Sequence, residues 1–358
     1  MQIADVQEGA SVSPDTIKLM RLALKKEKPD LVVFTGDQLY GVHPSFYSGD
    51  KKSKAVGTIK EIIKPVEDAG VPFAVTFGNH DCQVGLSNCE QADIYNQSAF
   101  AVHGDYFTEF DKGSFRLPLY DNDRHVFDVY LIDSNGQTLS GEYLPVTEKQ
   151  LECFRAEREK GKEDGKYTPG IVFQHIPVPE FFDVLKRVKF GTRGAVEAFR
   201  THKGEFYVLP DHIKNEGGFM GESPAIPDSN SGEFDVLKEK GNILGLIVGH
   251  DHINSFVAEK DGIKLIYTQC AGFHVYGPKL KRGMRIIDLD TSDLNSFSTH
   301  TITYEELTDD KLSDPVGEFI LTHIPTSMEQ VKRLAVAAVT GGTAAAITAA
   351  VLISKRKK

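Results

Sequence analysis

The sequence predicts an α/β fold with parallel strands, and three observations carry that prediction. Short apolar, β-branched runs, such as Leu31–Thr35, Val71–Phe77 and Leu244–Val248, have the length and composition of buried parallel strands. Stretches with helical spacing of apolar residues lie between the early runs. Each run stops at a cluster that carries an acid, an amide or an imidazole. In open α/β sheets ligands bind in the crevice beyond the carboxyl ends of the strands, so such polar tips converge on one edge.

The elements follow in order. A short first strand ends at Asp5, and Val6–Gly9 is the loop after it. The abrupt start leaves two expectations, a short strand or a segment that precedes it. Ser13-Pro14 reads as an N-cap with proline at the first helical position, and Ile17, Met20 and Leu24 share one face of that helix. The strand Leu31–Thr35 runs into Gly36-Asp37-Gln38-Leu39-Tyr40. A second helix is expected over Ala55–Ala69, closed by Gly70, and Val71–Phe77 then leads into Gly78-Asn79-His80-Asp81. Residues 82–125 read as irregular apart from a helix over Glu90–Ala99, and as a loop insertion lying over the site. A strand over Val126–Ile132, a turn at Asp133–Gly136 and a helix capped by Thr147 follow. Ile171–Gln174 is a strand tipped by His175. Residues 201–232 are a second Gly/Pro/Asn-rich insertion. Leu244–Val248 ends in Gly249-His250-Asp251-His252, and Leu265–Thr268 and Arg285–Leu289 complete the sheet.

Composition narrows the function. A chain of 358 residues holds one large α/β domain or two modest ones, and 40% apolar with 26% charged residues marks a packed protein. A net charge of −10 argues against nucleic-acid binding, which needs basic surface. A small phosphate ester remains open, because bound metal ions supply local positive charge. The four cysteines are too few for a disulfide scaffold; Cys82 and Cys89 are close enough in sequence to pair in an oxidising compartment. No signal peptide is visible. Leu334–Ile353 is uncharged, Ala-rich and of bilayer-spanning length, and basic residues flank it at Lys332-Arg333 and Lys355–Lys358. The expected organisation is a catalytic domain over 1–300, a juxtamembrane segment over 301–333, a single transmembrane helix over 334–354 and a basic tail over 355–358. The positive-inside rule puts that tail in the cytosol and the domain outside it; a cytosolic, tail-anchored domain is the alternative.

The tips collect Asp5, Asp37, Tyr40, Asn79, His80, His175, His250 and His252. Carboxylate, imidazole and amide oxygen suit borderline divalent metals and Fe(III), and a bridging carboxylate flanked by histidines holds two ions about 3.5–4 Å apart. Taken singly, each histidine is as often a core or capping residue; together at successive strand tips they point to a site.

Gly36-Asp37-x-x-Tyr40, Gly78-Asn79-His80-Asp81, Val172-x-x-His175 and Gly249-His250-x-His252 stand in the order found in the calcineurin-like metallophosphoesterases. The sequence resembles that superfamily from Asp5 to about Asp290, and its single-domain purple acid phosphatase branch in particular. The resemblance implies a four-layer α/β/β/α sandwich with two mixed sheets. It implies a dinuclear-metal hydrolase of phosphoesters, foremost a phosphomonoesterase, using metal-activated hydroxide. A phosphodiesterase or nucleotidase on the same site is one alternative. A decayed member serving as a membrane-anchored binding scaffold is another. Carried over by motif, Asp5, Asp37, Tyr40 and His252 would hold the first metal, with Asp37 bridging, and Asn79, His175 and His250 the second. His80 would meet the substrate phosphate or protonate the leaving oxygen, with Asp81 orienting it, and Asn79 and His274 would also line the substrate site. The departure is Asp5-Val6-Gln7 where the superfamily carries Asp-x-His. If Tyr40 is a ligand, Fe(III) paired with Zn, Mn or Fe(II) is expected; otherwise a Mn or Zn pair. The expected partners are a small phosphate ester and, through the C-terminal helix, a lipid bilayer.

Overall fold

The computed structural model describes residues 1–138, 140–163 and 165–323. Two mixed sheets stack face to face. The smaller has the strand order Asp293–Thr303, Gly283–Asp290, Gln2–Ile3, Val32–Thr35, Phe73–Thr76. Its last three strands are parallel, and Gln2–Ile3 pairs antiparallel with Gly283–Asp290. The larger, eight-stranded sheet has a parallel centre of Arg124–Leu131, Gly170–Phe173, Ile243–Val248 and Ile263–Tyr267.

Alternation along the strands builds the layers. Val33 and Ala74 point inward to meet Val129, Leu131, Ile171, Phe173, Ile247 and Ile266 between the sheets. Their neighbours Val32, Phe34, Phe73 and Val75 point the other way, onto helices Pro14–Glu27 and Lys51–Ala69. On the far side Tyr130, Val172, Leu246 and Leu265 pack under Leu151 and Phe154 of helix Glu148–Lys160. Central strands buried on both faces must be apolar throughout, which is why they were legible as continuous runs. The result is the expected four-layer α/β/β/α arrangement.

The helix signals hold locally. Ser13 caps Pro14–Glu27, and Thr147 caps Glu148–Lys160 in a reciprocal box with Gln150. The second helix begins four residues before the expected start, at Lys51, because Asp50 caps it by accepting from the Lys52 N–H. Gly70 ends it in the left-handed region (φ 69°).

Two expectations are corrected. Residues 82–125 are not a loop over the site: Asp111–Asp121 is an eleven-residue strand paired with Arg124–Leu131, and Tyr106–Thr108 forms the sheet edge beyond it. The domain does not stop at 300, because strand Asp293–Thr303 continues through it. Beyond it, Tyr304 is buried in the core and Glu318 pairs with the buried Arg282 at 3.0 Å. Asn254–Lys260 is a strand that the sequence did not suggest. The expected transmembrane helix over 334–354 and the basic tail lie outside the described residues. Among the described residues no helix is long and apolar enough to cross a membrane. All four cysteines are free thiols.

Glu233, at the start of helix Glu233–Glu239, is buried beside Gln174, and burial raises its carboxyl to about 8. Burial outweighs the Gln174 side chain, which favours the carboxylate. Its folded pKa lies above the ordinary glutamate value of about 4.3, so its stabilising contribution is complete below that pH and is lost as pH rises through about 8. Denaturant midpoints at pH 6 and pH 9 should therefore fall less in Glu233→Gln than in the wild type. Equal falls would contradict this assignment.

Candidate metal centre

Five strand tips meet at one edge, and glycines let them approach. A Cβ at Gly36 would lie 2.8 Å from the His175 ring, one at Gly78 would lie 2.2 Å from Asp37 Oδ1, and one at Gly249 would lie 2.5 Å from Asp5 Oδ2. Each of these glycines precedes one expected ligand and would collide with another if it carried a side chain. Asp5 (φ 52°), Asp37 (φ 52°) and His250 (φ 74°) all hold the left-handed backbone region. Such strain in non-glycine residues persists only where the surroundings enforce it, and it clusters at functional sites.

The side chains converge tightly. His175 Nε2 lies 3.2 Å from Asp37 Oδ2 and 4.0 Å from Asp5 Oδ1. His250 Nδ1 lies 3.2 Å from His175 Nε2, and His252 Nε2 lies 3.5 Å from Asp5 Oδ1. Asp37, His175 and His250 present ligand atoms all within 4.8 Å of one another. Behind them, His175 Nδ1 donates to Thr35 O at 3.1 Å and His252 Nδ1 to Tyr276 O at 2.9 Å. Those bonds fix the rings with Nε2 toward the centre, as metal-binding histidines are usually held. Burial works against a charged His175, but Asp37 and Asp5 outweigh it and raise the imidazole to about 10. The same two carboxylates create the field that attracts a cation here.

Two buried oxygens test whether a metal pair fits. Asp5 Oδ1 and Asn79 Oδ1 are both buried with no hydrogen-bond partner among the described residues. Both are acceptors, and both belong to the expected ligand set. An orphaned buried carboxylate oxygen is costly unless a donor or cation meets it. The residues present therefore fit a metal pair.

The remaining expected residues divide. Asp37 Oδ1 accepts from the His80 N–H at 2.7 Å and Oδ2 from Gln7 Nε2 at 2.7 Å. Gln7 thus acts as a donor to the Asp37 carboxylate; each carboxylate oxygen still has a second lone pair. Tyr40 is half-buried in the cavity wall, its ring edge-on to His80 with centroids 5.2 Å apart. His80 also lines the cavity, but Asp81 does not orient it. Asp81 Oδ2 accepts from the Asp37 and Gly78 N–H groups, each at 2.8 Å, and Oδ1 from the Leu39 N–H at 3.0 Å. Asp81 is a staple between two ligand loops. The ring is held instead by Gln83 Oε1, 2.9 Å from His80 Nδ1. His274 is likewise corrected: it is absent from the cavity lining, its Nδ1 sits 2.6 Å from the buried Glu8, and its ring stacks on His43. Gln83→Leu should free the ring, lowering kcat about 10–100-fold while metal content stays the same. Loss of metal in that variant would contradict the assignment.

Asp37, Tyr40, His80, His250 and His252 line a cavity of about 870 Å³; Asp5, His175 and Asn79 are not among its lining residues, so the expected place of Asn79 at the substrate is corrected as well. Sequence reasoning missed much of the cavity wall. Tyr143 packs edge-on against His250 at 4.8 Å, and Tyr276 stacks on His252 at 4.2 Å. The Tyr276 hydroxyl donates to Glu222 Oε2 at 2.9 Å. No lining residue comes from 82–125; the walls come from Tyr143, 196–203, 221–228 and 275–276.

Comparison with known proteins bears on the family and the fold. The family model described as calcineurin-like phosphoesterase matches residues 1–254. "Probable inactive purple acid phosphatase 14" of Arabidopsis thaliana is 27% identical over 323 residues, covering 77% of this chain and 71% of that protein. "Phosphatase DCR2" of Saccharomyces cerevisiae is 25% identical over 279 residues, covering 74% of this chain but 43% of that longer protein. A crystal structure of a dimetal phosphatase from Danio rerio superposes with a TM-score of 0.51 at 14% identity, covering 85% of this chain and 98% of the other. That likeness bears on the fold alone.

Proposed function

The chain belongs to the calcineurin-like phosphoesterase family, and from that premise we propose that it is a dinuclear-metal phosphomonoesterase. The observation that carries the reading is the pair of orphaned buried oxygens, Asp5 Oδ1 and Asn79 Oδ1, beside the triad of Asp37, His175 and His250. Asp5, Tyr40 and His252 would hold one ion and Asn79, His175 and His250 the other, with Asp37 between them. Ions held by those residues would supply Lewis acidity toward phosphoryl oxygens and would lower the pKa of a bound water toward neutrality. The protein's own groups do the rest. Thr35 O and Tyr276 O keep the histidine rings aimed inward. The Gln83 carboxamide oxygen accepts a hydrogen bond from His80 Nδ1–H, which leaves Nε2 as the other nitrogen; only as the imidazolium would that nitrogen carry a proton to hydrogen-bond the phosphate or pass to the leaving oxygen.

Purified full-length protein with p-nitrophenyl phosphate, across pH and added metals, tests the reading. Metal-dependent turnover is expected, and its absence under every condition would sink the proposal. A preference for bis-p-nitrophenyl phosphate would convert it to a phosphodiesterase. If Tyr40 is a ligand, the loaded protein carries Fe(III) and a visible charge-transfer band; a colourless active protein points to a Mn or Zn pair.

A second reading, a decayed site on a binding scaffold, is favoured by Gln7 sitting on Asp37 Oδ2. The word "inactive" in the name of the Arabidopsis relative also supports it. Metal content separates the two readings. The proposed setting is a membrane surface with the catalytic domain outside the cytosol. Helix Pro315–Thr322, twelve residues before the apolar run at 334, exposes Val316, Phe319 and Ile320. Protease protection of the domain in intact cells would contradict that orientation.

A further inference from the structure

One part of the cavity wall is chemically unlike the rest. Residues 196–203 bring Phe199, Arg200 and Lys203 to the cavity that Asp37, His250 and His252 line. The Arg200 guanidinium is fixed in place: Nε donates to Asp228 Oδ1 at 2.9 Å and Nη1 to Gly141 O at 2.9 Å. Its backbone holds the left-handed region (φ 45°), which a long side chain adopts only under constraint. Nη2 has no protein partner among the described residues. The other Asp228 oxygen accepts from the Tyr143 N–H at 2.8 Å, so the arginine is tied to the segment whose ring braces His250.

Lys203 lines the same cavity and makes no ion pair among the described residues. The acids of the cavity are otherwise engaged. Glu222 accepts from Ile253 N–H and the Tyr276 hydroxyl, and Asp251 from Ala225 N–H and the Tyr267 hydroxyl. Glu197 is the acid left on this wall, and it pairs with neither cation. Phe199 and Tyr143, with ring centroids 6.2 Å apart, give an aromatic surface in the same cavity wall.

We infer that Arg200 and Lys203 form a second anion subsite, so that the substrate is an organic phosphate whose leaving group carries another phosphate or carboxylate. This rests on the phosphomonoesterase reading, which supplies the first phosphate position. The unpartnered Nη2 of a guanidinium held in place suits an oxygen of a carboxylate or phosphate, and the ammonium adds an adaptable point charge. The aromatic surface accommodates the organic body between the two anions.

The test is binding of three non-hydrolysable probes to the metal-loaded full chain by calorimetry: phenylphosphonate, 4-phosphonobenzoate and 1,4-phenylenediphosphonate. At least one two-anion probe should bind about tenfold tighter than phenylphosphonate, the effect of one charge-assisted hydrogen bond. Comparing carboxylate with phosphonate identifies the second anion. Lys203→Ala and Lys203→Glu should shrink that ratio progressively, and Arg200→Gln should shrink it too if the variant folds. Equal affinity for all three probes, or a ratio unmoved by Lys203→Glu, overturns the inference while leaving the phosphomonoesterase reading standing. Failure of all three to bind overturns both.

Discussion

Asp37→Ala should empty the centre of metal and lower turnover of p-nitrophenyl phosphate on the order of 1000-fold or more. The carboxylate is fully buried, lies 3.2 Å from His175 Nε2, and belongs to the one triad of convergent acids and imidazoles among the described residues. It also fixes the His80 backbone through its N–H at 2.7 Å. One substitution therefore removes the shared ligand of both expected ions and loosens the loop that presents His80. Metal analysis and turnover should fall together. Full metal content with lost activity would make Asp37 a substrate contact; full activity would remove it from the site.

Asp81→Ala should fail differently. Its carboxylate is wholly buried and accepts three backbone N–H groups, from Asp37, Leu39 and Gly78. Truncation leaves those donors unsatisfied in the interior, a cost of about 3–5 kcal/mol, or a fall in Tm of roughly 10 °C. The loss should appear in metal-free protein as well as loaded protein, because the bonds join two loops of the fold rather than a loop to a metal. A variant with wild-type Tm and altered pH dependence would restore Asp81 to a role on His80.

The contrast between these two aspartates shows what the sequence can carry. Asp37, His175 and His250 were legible because each follows a buried apolar run, and strand ends in an α/β sheet share an edge. Asp81 sits in the same cluster, but its partners lie 44, 42 and 3 residues away, and nothing in their side chains announces a backbone donor. Gln83 was silent because its contact with His80, three residues back, exists only through the tight turn over Asp81–Val84. The strand Asp111–Asp121 was hidden because Gly113 and Pro118 interrupt it and one end is exposed, so neither alternation nor an apolar run marks it. The cavity wall was illegible too. Arg200 becomes a fixed cation only through Asp228 and Gly141, contacts that span 28 and 59 residues.

Gln7 is the point on which activity and decay diverge, because it donates to Asp37 Oδ2 at the position where the superfamily motif carries a histidine. The most direct measurement is metal content of the purified full chain, with a phosphate-soaked crystal and anomalous data to locate the ions. The phosphoesterase account predicts about two ions per chain, one against Asp5 and His252 and one against Asn79, His175 and His250. Less than one bound ion per chain after metal loading would contradict it and leave the scaffold reading in its place.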